Sequence, residues 1–178
     1  MQQQWRNFVQ SYIATTQPQV CYAVDWDSPC LDHLPQAVKV ADALLPWQMV
    51  PREASLDNLN PALDFTLPIH LQDFYCACYA DHLQVKFADK DLTLLQIWNE
   101  EDFVQLQENI IGHVLMKRRL KQRDTVFLGF TANDDELISM ELRSQHIVLE
   151  PLGSDHLTTL AKDFPSFVNQ LEVVPLAL

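Results

Sequence analysis

The sequence predicts an α+β fold in which one domain, residues 1–178, packs a mostly antiparallel sheet with helices. Three observations lead there. The chain is 48% apolar and 20% charged, so it can bury one core and is not compositionally disordered. Its hydrophobic periodicity runs helix, irregular, helix, strands, helix, strands, helix, without the strand–helix alternation that builds parallel sheets. One stretch of about twenty residues, at about 1.5 Å each, spans a small domain and should lie across the sheet.

At the N-terminus, Trp5, Phe8, Val9, Tyr12 and Ile13 share one helical face, and the helix should end near Thr16. Residues 17–68 hold seven of the ten prolines. Each fixes its own φ and removes a donor, so short strands and turns are expected there, carrying Trp26 and Trp47 inward. After Pro68, residues 69–80 read as a helix with Phe74, Ala77 and Cys78 buried. Leu83, Val85 and Phe87 alternate with Gln84 and Lys86 as in a half-buried strand. A turn at 88–91 joins it to a second strand over 92–98, giving a hairpin.

Asn99 is a good N-cap for the longest helix, and Glu100, Glu101 and Asp102 fill its first turn, where carboxylates complement the dipole. Phe103, Leu106, Ile110 and Val114 form its apolar stripe, and the run from Lys117 to Arg123 reads as a cationic helix end on a solvated face. Gly112 inside this helix costs about 1 kcal/mol relative to Ala, which suggests close packing against a neighbour. His113 reads as a packed, hydrogen-bonded histidine. Strands at 125–130, 136–142 and 145–150 follow, the first two joined by a turn at 132–135. A helical segment over 157–171 closes the chain, with Asp163 available to cap its second half and Pro165 near that start.

Charge excludes several functions. With 24 acidic against 12 basic side chains the chain carries -12, which opposes binding to phosphate backbones or anionic lipid. Three scattered glycines cannot form a phosphate-cradling loop. No cofactor is called for. His70, Cys76, Cys78 and His82 lie close in sequence, but two cysteines two residues apart on a helix face opposite ways, so no metal site is expected. Cys21, Cys30, Cys76 and Cys78, with no export signal and no long apolar run, point to a reducing compartment and a soluble protein. No nucleophile elbow or catalytic cysteine motif occurs, so an enzyme is not expected. The acidic excess itself fits a basic protein partner.

The segment from Leu92 to Phe103, Leu-Thr-Leu-Leu-Gln-Ile-Trp-Asn-Glu-Glu-Asp-Phe, and its continuation from Leu106 to Lys121 strongly resemble the Syd family. Ser28-Pro29-Cys30, Phe74-Tyr75 and the closing Phe167 and Leu171 support the match, which covers essentially the whole chain. The resemblance implies a single Syd-like domain related to the SUKH superfamily. It also implies a monomer that binds the basic cytoplasmic loops of the translocation channel subunit SecY. By that route the protein would sit loosely on the cytoplasmic side of the inner membrane, being otherwise cytosolic, and would check or sequester faulty SecY. Cytoplasmic loops are Lys/Arg-rich, which suits an acidic docking surface. Candidate contacts are Glu100, Glu101 and Asp102, with Asp81, Asp89 and Asp91 from the hairpin and Glu53, Asp57 and Asp64 from the irregular segment. Two alternatives stand beside this reading. One is a SUKH-type immunity protein that caps a toxin, and the other is a small acidic enzyme using Cys76 and Cys78 or a carboxylate cluster.

Overall fold

Helix α1 (Gln2–Thr16) opens the chain, and its buried face is Trp5, Val9, Tyr12 and Thr16. The computed structural model describes residues 1–132 and 135–175. The Trp5 ring packs against Phe74 and Phe164, and its indole N–H donates to Gln96 Oε1 at 3.0 Å. That side chain donates in turn to the carbonyls of Phe74 and Leu95. One buried amide thereby satisfies the indole and pins α1 to the centre of the molecule.

The proline-rich segment forms what its composition predicts. Strands β1 (Gln19–Cys21) and β2 (Leu44–Pro46) pair with each other, and 3₁₀ turns occupy residues 24–26, 29–31, 36–38 and 57–59. Strand β3 (Val50–Pro51) and the one-turn helix α2 (Asn60–Leu63) complete it. Trp47 is buried and Trp26 is half-buried.

Helix α3 (Ile69–Tyr75) is shorter than its periodicity suggests. It gives way to β4 (Cys78–Tyr79), which pairs with β3. The backbone carbonyl of Ala77 accepts from Arg6 Nε and from the Arg52 N–H, and these long-range bonds outweigh local helix preference. Cys76 and Cys78 are therefore not helical neighbours.

The main sheet has seven strands in the order β10-β9-β8-β7-β6-β5-β11, each antiparallel to its neighbours. Its members are β5 (Leu83–Phe87), β6 (Lys90–Leu94), β7 (Thr125–Thr131), β8 (Glu136–Glu141), β9 (Ile147–Pro151), β10 (Thr158–Ala161) and β11 (Leu171–Glu172). The fold is α+β, as the sequence predicts. The hairpin turn is tighter than expected, with Phe87 opposite Lys90 and Ala88 at φ 54°. Strand β6 ends at Leu94, and residues 95–98 leave the ladder to reach the next helix. The expected turn at 132–135 includes Asn133 and Asp134, which lie outside the described residues.

Helix α4 (Glu100–Arg119) packs on β7 through Phe103, Leu106, Ile110, Val114 and Lys117. Lys117 is a correction, because it is no solvated helix end. Its ammonium is buried in an ion pair with Glu150, whose other oxygen accepts from Thr125 Oγ1 at 2.8 Å. Thr125 Oγ1 also lies 3.0 Å from His113 Nε2, so the histidine is packed and hydrogen-bonded as expected. The C-terminal region is corrected too. Only Phe164–Val168 is helical (α5), capped by Asp163 with Pro165 in its first turn, while flanking residues become β10 and β11. Pairing with β9 and β5 decides that outcome over periodicity. No helix of the described residues is long and apolar enough to cross a membrane.

Two glycines give opposite tests. A Cβ at Gly112 would meet nothing within 4 Å, so the expected close packing is absent and Gly112→Ala should stabilise the fold by about 0.5–1 kcal/mol. A Cβ at Gly129 would stand 2.1 Å from the Thr93 carbonyl oxygen, so Gly129→Ala must push β6 from β7. Thermal melts should show a rise of about 1–4 °C for the first and a clear fall for the second.

Candidate binding surface

The start of α4 is built by interlocking caps. Asn99 is extended, and its Oδ1 accepts from the Asp102 N–H at 2.9 Å. Asp102 Oδ2 reaches back to the Trp98 N–H at 2.8 Å, a reciprocal cap one residue outside the usual box. Asn99 Nδ2 donates to the Asp27 carbonyl, the Trp98 indole donates to the Trp26 carbonyl, and Ser28 Oγ donates to the Trp98 carbonyl. Three hydrogen bonds thus tie the 26–28 loop to the helix start. Ser28 also caps the turn at 29–31, whose first residue is Pro29.

Beneath this surface lies Arg52. Its guanidinium sits 4.5 Å from the Tyr79 ring centroid and 4.2 Å from that of Phe103, and its side chain is only 6% exposed. Nη2 contacts Glu100 Oε1 at 3.0 Å, and the Tyr79 hydroxyl donates to the same oxygen. Burial, followed by that bond to Glu100, pushes the Tyr79 phenol up to about 12. Lys39 plays a similar part under the neighbouring loop. Its side chain is 6% exposed and reaches Asp27 at 3.4 Å and Asp32 at 3.9 Å. At this end the cations lie below and the carboxylates face water: Glu100 is 68% exposed and Asp32 74%.

The structure gathers some of the sequence candidates and separates others. Glu100, Glu101 and Asp102 stand together, and Glu53 follows Arg52 directly. Asp81 lies nearby, since the adjacent Ala80 N–H bonds the Ile97 carbonyl and the Asp81 charge acts on the Cys30 thiol. Asp57 sits further along α4. It accepts from Gln72, and its neighbour Asn58 bonds Gln107, roughly two turns from the helix start. Asp64 stands at the other end of α4, where Arg118 bonds the Leu63 carbonyl, about 27 Å from Glu100 along the axis. Asp89 and Asp91 occupy the hairpin tip, roughly 13 Å beyond Leu83, with Asp91 paired to Lys86. Sequence reasoning missed Asp25, Asp27 and Asp32. The available signal was Ser28-Pro29, a Ser N-cap followed by Pro that marks a helical turn docked as a unit.

The candidate chemistry of the cysteines and histidines is dispersed. His70 pairs with Asp73 at 3.0 Å, and exposed His82 accepts from the Gln96 N–H through Nδ1. Among the described residues no three His, Cys, Asp or Glu could hold a metal ion together. Burial pushes the thiols of Cys30 and Cys76 up to about 11 and that of Cys78 up to about 12. All three are buried, whereas Cys21 is exposed. A disulfide-exchange reagent at neutral pH should therefore modify one thiol quickly and three only after unfolding. The same shifts set an alkaline limit. Raised pKa values mean that the unfolded chain loses these protons first, near pH 9. Their stabilising contribution is full below that pH and is lost as pH climbs through about 11–12, which denaturant midpoints should report.

Comparison with known proteins gives this surface its context. The family model "Syd protein (SUKH-2)" matches residues 1–173. A "Protein Syd" of Pseudoalteromonas translucida is 39% identical over 159 residues, covering 88% of this chain and 86% of that protein. One from Yersinia pestis is 36% identical over 180 residues, covering 95% of this chain and 93% of its own. A third, from Pseudoalteromonas atlantica, is 35% identical over 153 residues, covering 85% and 81%. The chain belongs to the Syd family.

Proposed function

We propose that this protein binds the Lys/Arg-rich cytoplasmic loops of SecY through the carboxylates around the start of α4, and so checks or restrains unassembled channel subunits. It acts by binding rather than by catalysis. The observation that carries the reading is the layering of charge. Glu53, Asp25 and Glu101 are exposed and have no ion-pair or hydrogen-bond partner among the described residues, while the side chains of Arg52 and Lys39 are buried beneath their neighbours. A basic peptide meets carboxylates first, and the chain's charge of -12 favours its approach from every side. Positive-inside loops supply that charge. The carboxylates most available to a partner are Glu101, Glu53 and Asp25, with Glu100, Asp102 and half-buried Asp81 already engaged, the last by the His82 N–H, and Asp57 at the margin. Asp89, Asp91 and Asp64 would lie outside one contiguous contact.

Association kinetics test the surface. Reversing Glu53 and Glu101 to Lys should slow association with purified SecY about tenfold at low salt and flatten its salt dependence, since rim charges act mainly on the on-rate. Melting should change little, because neither carboxylate holds a partner. An unchanged on-rate in the folded double variant rejects this surface, and capture of a basic toxin instead of SecY would favour the immunity-protein reading.

Membrane attachment through such a partner is ionic. Washing membranes at about 1 M salt, where the Debye length falls to ~3 Å, should release the protein, and protein-free anionic vesicles should not retain it. Retention on those vesicles would show that lipid, not SecY, is the anchor.

A further inference from the structure

The C-terminal end of α4 carries the opposite arrangement. The helix closes with Lys121 at φ 56°, its N–H bonded to the Arg118 carbonyl and the Gln122 N–H to the Lys117 carbonyl. The chain then turns through Arg123 and Asp124 into β7. Together with the end of α2 and the β8–β9 turn, this segment encloses a cleft of about 710 Å³. Its cations are Arg118, Lys121, Arg123 and Arg143, against Asp64, Asp124 and Glu141. In a chain with 12 basic residues and a charge of -12, this is a marked local reversal.

Most of the lining charges are already engaged. Asp124 is taken by Arg118 at 2.7 Å. Glu141 accepts the N–H groups of Arg143 and Ser144, which close the β8–β9 turn. Arg123 is fixed by the carboxylate and carbonyl of Asp155. Lys121 and Arg143 remain exposed, with no side-chain hydrogen-bond or ion-pair partner among the described residues, and the exposed Asp64 carboxylate is likewise unpartnered, so the unengaged charges are two cations against one anion. Half-buried Phe65 also lines the cleft and supplies its aromatic surface. Lys121 also occupies a left-handed position that glycine favours, so its side chain is present at a conformational cost.

We propose that this cleft is a second protein-binding site, for an extended segment that presents carboxylates beside an apolar side chain. Two free cations would pair with the carboxylates, and Phe65 would cover the apolar group. The mixed lining selects this occupant. A phosphate array or an anionic bilayer would meet Asp64, Asp124 and Glu141 in the same concavity, whereas a peptide brings both acceptors and backbone donors. The site lies at the opposite end of α4 from the proposed basic-loop surface, so either can fail without the other.

The probe is a short fluorescein-labelled Glu/Leu peptide, with a Gln/Leu peptide of equal length as its control. Wild-type protein should bind the acidic peptide at least tenfold more tightly, with an affinity that falls as salt rises. Lys121→Glu with Arg143→Glu should abolish that preference while leaving SecY binding unchanged. Lys121→Gly relaxes the backbone and removes one cation. It should raise the melting temperature and still weaken the peptide several-fold, an outcome that a purely structural lysine would not give. Equal binding of the two peptides to wild type, or unchanged affinity in both folded variants, overturns the proposal. Retention of wild type but not the double variant on phosphatidylglycerol vesicles, with no peptide preference, replaces the protein segment by a lipid surface.

Discussion

A single buried cation organises the end of the molecule at which α4 begins. The Arg52 guanidinium has two aromatic faces and a carboxylate as its company, and its backbone bonds Ala77 and Arg6. Those contacts join α1, the β3–β4 pair and α4 at one point. An isolated buried charge is expensive, so the site holds together only while the rings stack on Arg52 and Glu100 faces it. The consequence is an acidic surface with a rigid floor. Its exposed carboxylates project from a frame in which the neutralising charges have already been placed out of reach.

Helix α4 then acts as a charged axis. Three carboxylates crowd its first turn and cations its last, as the macrodipole favours at each end. One cation of that run is diverted into the core, where Lys117 meets Glu150. The exposed charge of the two ends is thereby unequal. The acidic end gains the residues of the 24–32 loop, and the basic end keeps only what the cleft gathers from Arg118 to Arg123 and from Arg143.

Local chemistry made much of the fold legible. Asn99 with its following carboxylates, the 103-106-110-114 stripe, the alternation over 83–87 and the Asp163-x-Pro165 start are all signals of short range, and the structure follows each. The failures have a common cause. Residues 76–80, 95–98 and 157–161 are claimed by partners distant in sequence: Ala77 by two arginines, Leu95 by Leu128, and Thr158 by Leu149. No periodicity announces such bonds. Lys117 was a readable exception, since it continues the apolar stripe in phase and therefore points inward. The acidic surface was half legible. Glu100 to Asp102 follow from a cap, but Asp25 and Asp27 arrive through hydrogen bonds from Trp98, Asn99 and Ser28 that only the folded chain supplies.

The sheet's margins carry a last consequence. Its outermost strands are its shortest members, β11 with two residues and β10 with four and an irregular register against β9. An open sheet of seven strands otherwise presents long rows of unpaired N–H and C=O groups on which another chain could add. Here each row is clipped before a foreign strand could gain more than a few bonds. Margins this short give an added strand little to template on, which disfavours edge-to-edge pairing of the folded chain with copies of itself or with other exposed strands.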